Sequence, residues 1–301
     1  MSIKTLPKYP VYVPSKGRHE TPYTARVLAE DGVPFVIVCE PQERDAYAKL
    51  VESLRDCKLL VLPEDDQGLV YVRRFIRAHA TQSGAKRHWQ IDDNIRRFRR
   101  WYRNKRLRCR AGCALRIVEQ FSDRYENVAI SGLNYTMFAH QGGSATPPTK
   151  PFWLNVHVYS CSLFLNAMPF DFRLPYNDDV DICLQVVSSG EWCTVLFNAF
   201  MCDKLRTMTV KGGMDYEGDA RAKGTRLLQR HWPHVVDIDR KWQRPHFVVR
   251  ERWRKFATPL RRRTDIDWDA IENGAESIAM QCKAVGDVKS RELRDIVEGD
   301  A

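Results

Sequence analysis

Apolar runs and amphipathic stretches take turns along the first part of the chain. Val11-Tyr12-Val13, Phe35-Val36-Ile37-Val38-Cys39 and Leu59-Leu60-Val61-Leu62 are continuous rather than alternating, the composition of strands covered on both faces. His88 to Ile91 reads as a fourth strand. Between them, residues 21–31, 42–54 and 68–81 read as helices. The first has Thr21 as its expected N-cap, Pro22 in its first turn and Gly32 as its stop. Farther on, Val128 to Gly132 and Val156 to Leu165 are strand-prone, Asn177 opens a helix reaching Ser188, and Glu191 to Phe200 returns as a strand. Residues 140–151, rich in Gly, Pro, Ser and Thr, read as a mobile lid or acceptor loop.

Strands alternating with helices imply right-handed crossovers and a parallel sheet. The expectation is an α/β fold with a mostly parallel, Rossmann-like central sheet flanked by helices. Such sheets bind ligands at the carboxyl ends of their strands. Two of those ends carry polar clusters: Ser15-Lys16-Gly17-Arg18 after the first strand and Asp92-Asp93-Asn94 after the fourth. Neither a P-loop nor a GxGxxG follows the first strand, so a nucleotide would be held by a different device. The 301 residues suit one large domain, 1–239, with a helical C-terminal extension, 240–301, first basic and then acidic.

Composition narrows the class. No apolar run approaches the ~20 residues needed to span a bilayer, and Met1 to Tyr9 carries no signal-peptide core. The nine cysteines are odd in number and scattered, and Cys109-x3-Cys113 has no second pair to complete a zinc site. A soluble, cytoplasmic protein is expected. The net charge of +10 is concentrated. Residues 86–110 hold eleven Lys or Arg against two Asp, and residues 240–263 hold ten against one Glu. Clustering of this kind points to a polyanionic partner; the plainer alternative is a solvated surface.

The chemistry sits in short acidic motifs. Carboxylates at a strand end suit a hard divalent cation, Mn2+ or Mg2+, bridging phosphate oxygens, which makes Asp92, Asp93 and Asn94 candidate metal ligands. A capped turn is the plainer account. Asp178, Asp179 and Asp181 open a helix, where one carboxylate would suffice for the dipole. One of them suits a general base, Asp179 first and Asp178 next. Lys211-Gly212-Gly213 offers a phosphate-binding charge on a pliable backbone, and Ser15, Lys16 and Arg18 are further donor contacts.

These motifs, in this order, resemble a glycosyltransferase of the GT-A fold over residues 10–214. More narrowly, Pro14-Ser15-Lys16-Gly17-Arg18, Val38-Cys39-Glu40-Pro41-Gln42 and Asp92-Asp93-Asn94 are similar to the TET-associated glycosyltransferases of bacteriophages, which put sugars on 5-hydroxymethylated pyrimidines in DNA. The resemblance implies a nucleotide-sugar donor, usually a UDP-sugar, and manganese or magnesium. By it, Asp92 contacts the donor ribose or the metal, Asp93 and Asn94 lie at the metal and diphosphate, and Asp179 matches the base of inverting members. Asn94 departs from the family's third carboxylate. A late histidine often completes the metal shell, and His231 and His234 are candidates.

The expected function is therefore DNA glycosylation, with a sugar transferred from a UDP-sugar to 5-hydroxymethylcytosine. Arg96, Arg97, Arg99, Arg100, Arg103, Lys105, Arg261, Arg262 and Arg263 are the expected phosphate contacts. Trp89, Trp101, Tyr102 and Trp153 are candidates to stack on a flipped base, although core packing is the stronger reading for each. Two rivals stand: a nuclease or nucleotidyltransferase with two metals at Asp92, Asp93 and Asp179, and a non-catalytic DNA-binding protein.

Overall fold

Strand β1 (Val11–Pro14) is an interior strand of the main sheet, with Val11, Tyr12 and Val13 each about 1% exposed. The computed structural model of the protein describes residues 6–102, 105–139, 151–205, 220–241, 244–249 and 253–272. After β1 come α1 (Tyr23–Glu30), β2 (Phe35–Cys39), α2 (Arg44–Glu52), β3 (Cys57–Val61), α3 (Gly68–Gln82) and β4 (Arg87–Ile91). Helix α1 stops as the sequence requires. Gly32 adopts φ 67°, and the amides of Gly32 and Val33 return to Ala29 O and Leu28 O. Its start differs: no side-chain hydrogen bond caps it, and Thr21 is not used.

The chain continues through β5 (Ile95–Tyr102), β6 (Lys105–Cys109), α4 (Ala111–Ser122), β7 (Val128–Tyr135), β8 (Phe152–Leu154), β9 (Cys161–Leu165), α5 (Asp178–Ser188) and β10 (Cys193–Lys204). One sheet holds all ten strands in the order β3-β2-β1-β4-β9-β7-β10-β5-β6, with β8 beside β10. The expected central sheet flanked by helices is present, and it includes antiparallel members. Strands β1 to β4 pair in parallel, as do β7 and β10. Strand β9 runs against both β4 and β7, and β5, β6 and β8 are also antiparallel. Two reversals across β9 restore the original direction. The carboxyl ends of β1, β2, β3, β4, β7 and β10 therefore meet at one edge of the sheet.

Both faces are covered. Trp89, Ile91, Phe121 and Phe197 belong to the larger core with α1 and α4; Ile130, Phe164, Ile182 and Val186 pack with α5 on the other side. Trp89 is fully buried, and its indole N–H donates to Glu119 Oε1 at 3.0 Å. Glu119 also accepts the amides of Lys8 and Tyr9, so this buried carboxylate is fully occupied. Trp89 is thus a core residue and unavailable for base stacking. Strands β7 and β9 approach so closely that a Cβ on Gly132 would lie 2.2 Å from Cys161 O.

The C-terminal region departs from the expected helix. Helix α6 (Ala220–His231) is followed by a hairpin of β11 (Val236–Lys241) and β12 (Arg244–Val249), which straddles position 239. Val236 and Phe247 pack on Leu228 and Trp232 of the α6 region. After a turn at Trp253–Lys255 the chain runs along the main body. There Asn155 Nδ2 donates to Phe256 O and Thr258 O, and Asn127 Nδ2 to Pro259 O, at 2.8–2.9 Å. Among the described residues beyond 240, only α7 (Trp268–Glu272) is α-helical. Backbone pinning by two buried asparagines leaves no sequence periodicity to read.

Candidate active site

The shared strand edge opens into a cavity of about 520 Å³. Its walls come from the loop after β1, the ends of β2 and β3, the start of α3, the loop after β4 and the start of α5. Ser15, Lys16, Arg18, Asp92, Asp93, Asn94, Asp178 and Asp179, far apart in sequence, all line it. Helix α1 fixes the loop after β4: Thr24 Oγ1 donates to Asp92 O at 2.6 Å and accepts the Ile95 amide at 2.8 Å.

Asp93 locks the first loop to the fourth. It pairs with the buried Arg18 guanidinium, and its Oδ2 accepts from Ser15 Oγ at 2.8 Å. The Tyr47 hydroxyl joins Ser15 at 2.7 Å and accepts the Arg18 amide at 3.1 Å. These groups hold one another and shape the cavity wall. Lys16 is similarly engaged, 2.9 Å from Glu40 and 2.5 Å from Asp66.

Asp92 faces two cations. Lys204 Nζ lies 2.8 Å from its Oδ2, and Arg73 Nη2 lies 3.8 Å from its Oδ1. Burial works against the charged carboxylate, but Lys204 and Arg73 outweigh it and hold Asp92 below the usual carboxylate range. Lys204 also donates to Ser160 Oγ at 2.5 Å and Tyr135 Oη at 3.3 Å. Arg73 reaches Asp178 Oδ2 through Nε at 2.5 Å and Gln90 Oε1 through Nη1 at 3.0 Å. It thereby ties the two acidic motifs together. Sequence reasoning missed both cations. Lys204 ends a mostly buried strand directly after Asp203, and nothing in that local sequence marks it as a site residue.

The three carboxylates of α5 have separate tasks. Asp178 is held by Arg73. Asp181, fully buried, takes a bidentate grip from Arg173 and a bond from Trp232 Nε1 at 2.8 Å. Asp179 lines the cavity, and its near partner is an imidazole rather than a guanidinium: His157 Nε2 lies 3.0 Å from its Oδ2. Burial would raise the Asp179 carboxyl, yet His157, Arg73 and Lys204 bring it down to about 2. Residues 156–160 are irregular where a strand was expected, and this places His157, Tyr159 and Ser160 at the site.

A divalent cation fits this arrangement poorly. Both Asp93 oxygens are engaged by Arg18 and Ser15, and both Asp92 oxygens face Lys204 or Arg73. Asn94 is buried, with its amide nitrogen on Leu205 O at 3.1 Å; its Oδ1, without a hydrogen-bond partner, is one neutral oxygen. Hard cations need several oxygen ligands. Among the described residues no group of three or more His, Cys, Asp or Glu is placed to hold a metal, and His231 and His234 are exposed.

The basic residues divide. Arg96 and Arg97 are exposed at the cavity edge of β5, and Lys105 is exposed on β6. Arg99 pairs with Asp203 at 2.7 Å, and Arg100 is 2% exposed. Arg261 to Arg263 lie at the opposite edge of the sheet, beside the start of β4 and the end of β9, where Arg263 shares an open groove with Lys86 and Arg87. Arg262 stacks over Trp268 at 4.5 Å. Trp101 is buried beneath Arg106, and Trp153 packs against the α5 core. Arg103, Lys211, Gly212, Gly213 and residues 140–150 lie outside the described residues, and the Tyr102 side chain is not described.

Residues 9–213 match the profile of the TET-Associated Glycosyltransferase family. Among solved structures, S. aureus TarS (residues 1–349) is similar at 12% identity and a TM-score of 0.43, covering 75% of this chain and 66% of that one. Its complex with UDP-GlcNAc gives 12% identity and a TM-score of 0.45, with 75% and 67% covered. Mouse xyloside xylosyltransferase 1 in its apo form gives 12% and 0.30, with 52% and 66% covered. The chain thus spans 66–67% of the length of these TarS chains. No curated protein matches the chain. No described helix is long and apolar enough to cross a membrane.

Proposed function

Because the chain belongs to the TET-associated glycosyltransferase family, we propose that it transfers a sugar from a UDP-sugar to the hydroxymethyl group of 5-hydroxymethylcytosine in DNA. Membership sets aside the nuclease and the non-catalytic rival. The observation that supports the reading most is the convergence of the loop after β1, the Asp92 loop and Asp179 on one cavity.

In this reading the donor diphosphate lies beside Arg73 and Lys204. Asp179 takes the proton of the acceptor hydroxyl while that oxygen attacks the anomeric carbon. The bond from that carbon to the diphosphate oxygen breaks, and the electron pair leaves on the diphosphate. When bound, a divalent ion would neutralise that leaving group; the residues present favour protein cations for this task. The acceptor approaches from the aromatic side of Asp179. There Tyr159 stacks on Tyr135 at 4.7 Å, His157 lies parallel to Trp253 at 6.1 Å, and Phe138 caps the row with 43% of its surface exposed. A pyrimidine flipped from its duplex suits such a shelf. Arg96 and Arg97 supply phosphate contacts at the same edge.

The test is incubation with hydroxymethylated and unmodified DNA and a panel of UDP-sugars, followed by digestion and nucleoside mass analysis. A sugar-sized mass gain on hydroxymethylcytosine alone is expected. DNA binding without any mass gain overturns the reading.

A further inference from the structure

Asp92 sits where a metal ligand is expected, yet its neighbours are those of a counter-ion. Lys204 Nζ has three oxygen partners, Asp92 Oδ2 at 2.8 Å, Ser160 Oγ at 2.5 Å and Tyr135 Oη at 3.3 Å. They match its three N–H donors. Arg73 is spread between Asp178, Gln90 and Asp92, with its Nη2 at 3.8 Å from the last. Charge for charge, Asp92 and Asp178 are balanced by Lys204 and Arg73, and Asp93 by Arg18. Carboxylates already neutralised in this way attract a divalent ion weakly. An ion bound to Asp92 at the usual distance of about 2.1 Å would also press against the ammonium group that shares the same oxygen.

We infer that Lys204, oriented by Asp92 and Ser160 and assisted by Arg73, takes the place of the divalent metal and binds the donor diphosphate directly. Asp92 is then a positioning residue rather than a metal ligand. A phosphate oxygen replaces the long Tyr135 contact on Lys204, the weakest of the three. An ammonium and a guanidinium at fixed positions stabilise the charge that develops on the leaving diphosphate. Asn94 is consistent with this, because no third carboxylate is needed where no metal is held. The inference rests on the nucleotide-sugar reading above.

The test is calorimetric binding of UDP to the full chain, first with EDTA and then with Mn2+ or Mg2+. Affinity within about threefold across the three conditions is expected. Lys204→Met weakens UDP at least tenfold and uridine hardly at all, whereas Lys204→Arg retains most of the affinity. Thermal unfolding establishes that each variant is folded. Asp92→Asn, the third variant, weakens UDP but leaves binding indifferent to Mn2+. UDP binding that appears only with metal, or a folded Lys204→Met protein that binds UDP like the parent, overturns the inference and leaves the donor reading intact. Absence of UDP binding under every condition overturns both.

Discussion

His157 Nε2 lies 3.0 Å from Asp179 Oδ2, and the same imidazole packs on Tyr159, so that pair links the cavity to a row of aromatic rings. In the proposed reaction Asp179 is the proton acceptor without a substitute nearby, because Asp178 is held by Arg73 and Asp181 by Arg173. Asp179→Asn is expected to lower the transfer rate by ~10²–10⁴-fold with UDP affinity retained. Single-turnover transfer and UDP calorimetry on the same preparation measure the two. Equal loss of both would move the base elsewhere.

The pair also sets a pH dependence. Asp179 is held down at about 2, so its ionised form is present throughout the neutral and mildly acidic range. Its contribution to folding is complete above the ordinary aspartate value of ~3.9 and drains away as pH falls toward about 2. His157→Gln is expected to move the Asp179 titration upward, which carboxyl-carbon NMR follows directly. An unchanged titration would assign the depression to Arg73 and Lys204 alone.

The Arg18–Asp93 pair is buried on both sides. Removing one partner strands the other charge, and Arg18→Ala is expected to cost about 3–5 kcal/mol, read from the urea midpoint at unchanged slope. Donor binding falls as well, because the Ser15–Arg18 loop loses its anchor on the Asp92 loop.

Gly132 is constrained by contact rather than by its backbone angles. A methyl group there would meet Cys161 O at 2.2 Å and Val158 Cγ1 at 2.6 Å. Gly132→Ala is expected to destabilise by about 1–3 kcal/mol as β7 and β9 are pushed apart. A melting temperature equal to the parent's would contradict the close packing.

Arg96 and Arg97 stand at the cavity edge, and Arg261 at the far one. Arg96→Ala and Arg97→Ala should each weaken DNA binding at all sequences and reduce the salt slope by about one. Arg261→Ala should leave transfer to short duplexes unchanged. Phe138→Ala should raise the KM for DNA without altering UDP affinity. The reverse ranking in salt titrations and transfer kinetics would put the acceptor on the other side of the sheet.

By itself, the sequence determined the βα alternation, the polar clusters at the ends of β1 and β4, and the acidic start of α5. Local patterns suffice for these, because continuous apolar runs and carboxylates at a helix start are written in neighbouring residues. Sequence also supported the family, through short motifs in order. The tertiary structure decided the rest. Strand β9 reverses the sheet twice, and only that topology brings Lys204, Tyr135 and Ser160 to the edge that holds Asp92. No spacing rule links residues 73, 92, 157, 179 and 204, so Arg73, Lys204 and His157 were invisible beside the motifs they serve. Burial separated Trp89 and Arg100, which are core, from Phe138 and Arg96, which face solvent. The end of the second basic run, Arg261 to Arg263, went to the opposite edge because Asn127 and Asn155 pin its approach along the body. An acidic motif read as a metal site became, once folded, half of a set of ion pairs, because a buried carboxylate is stabilised by whichever cation the fold brings to it.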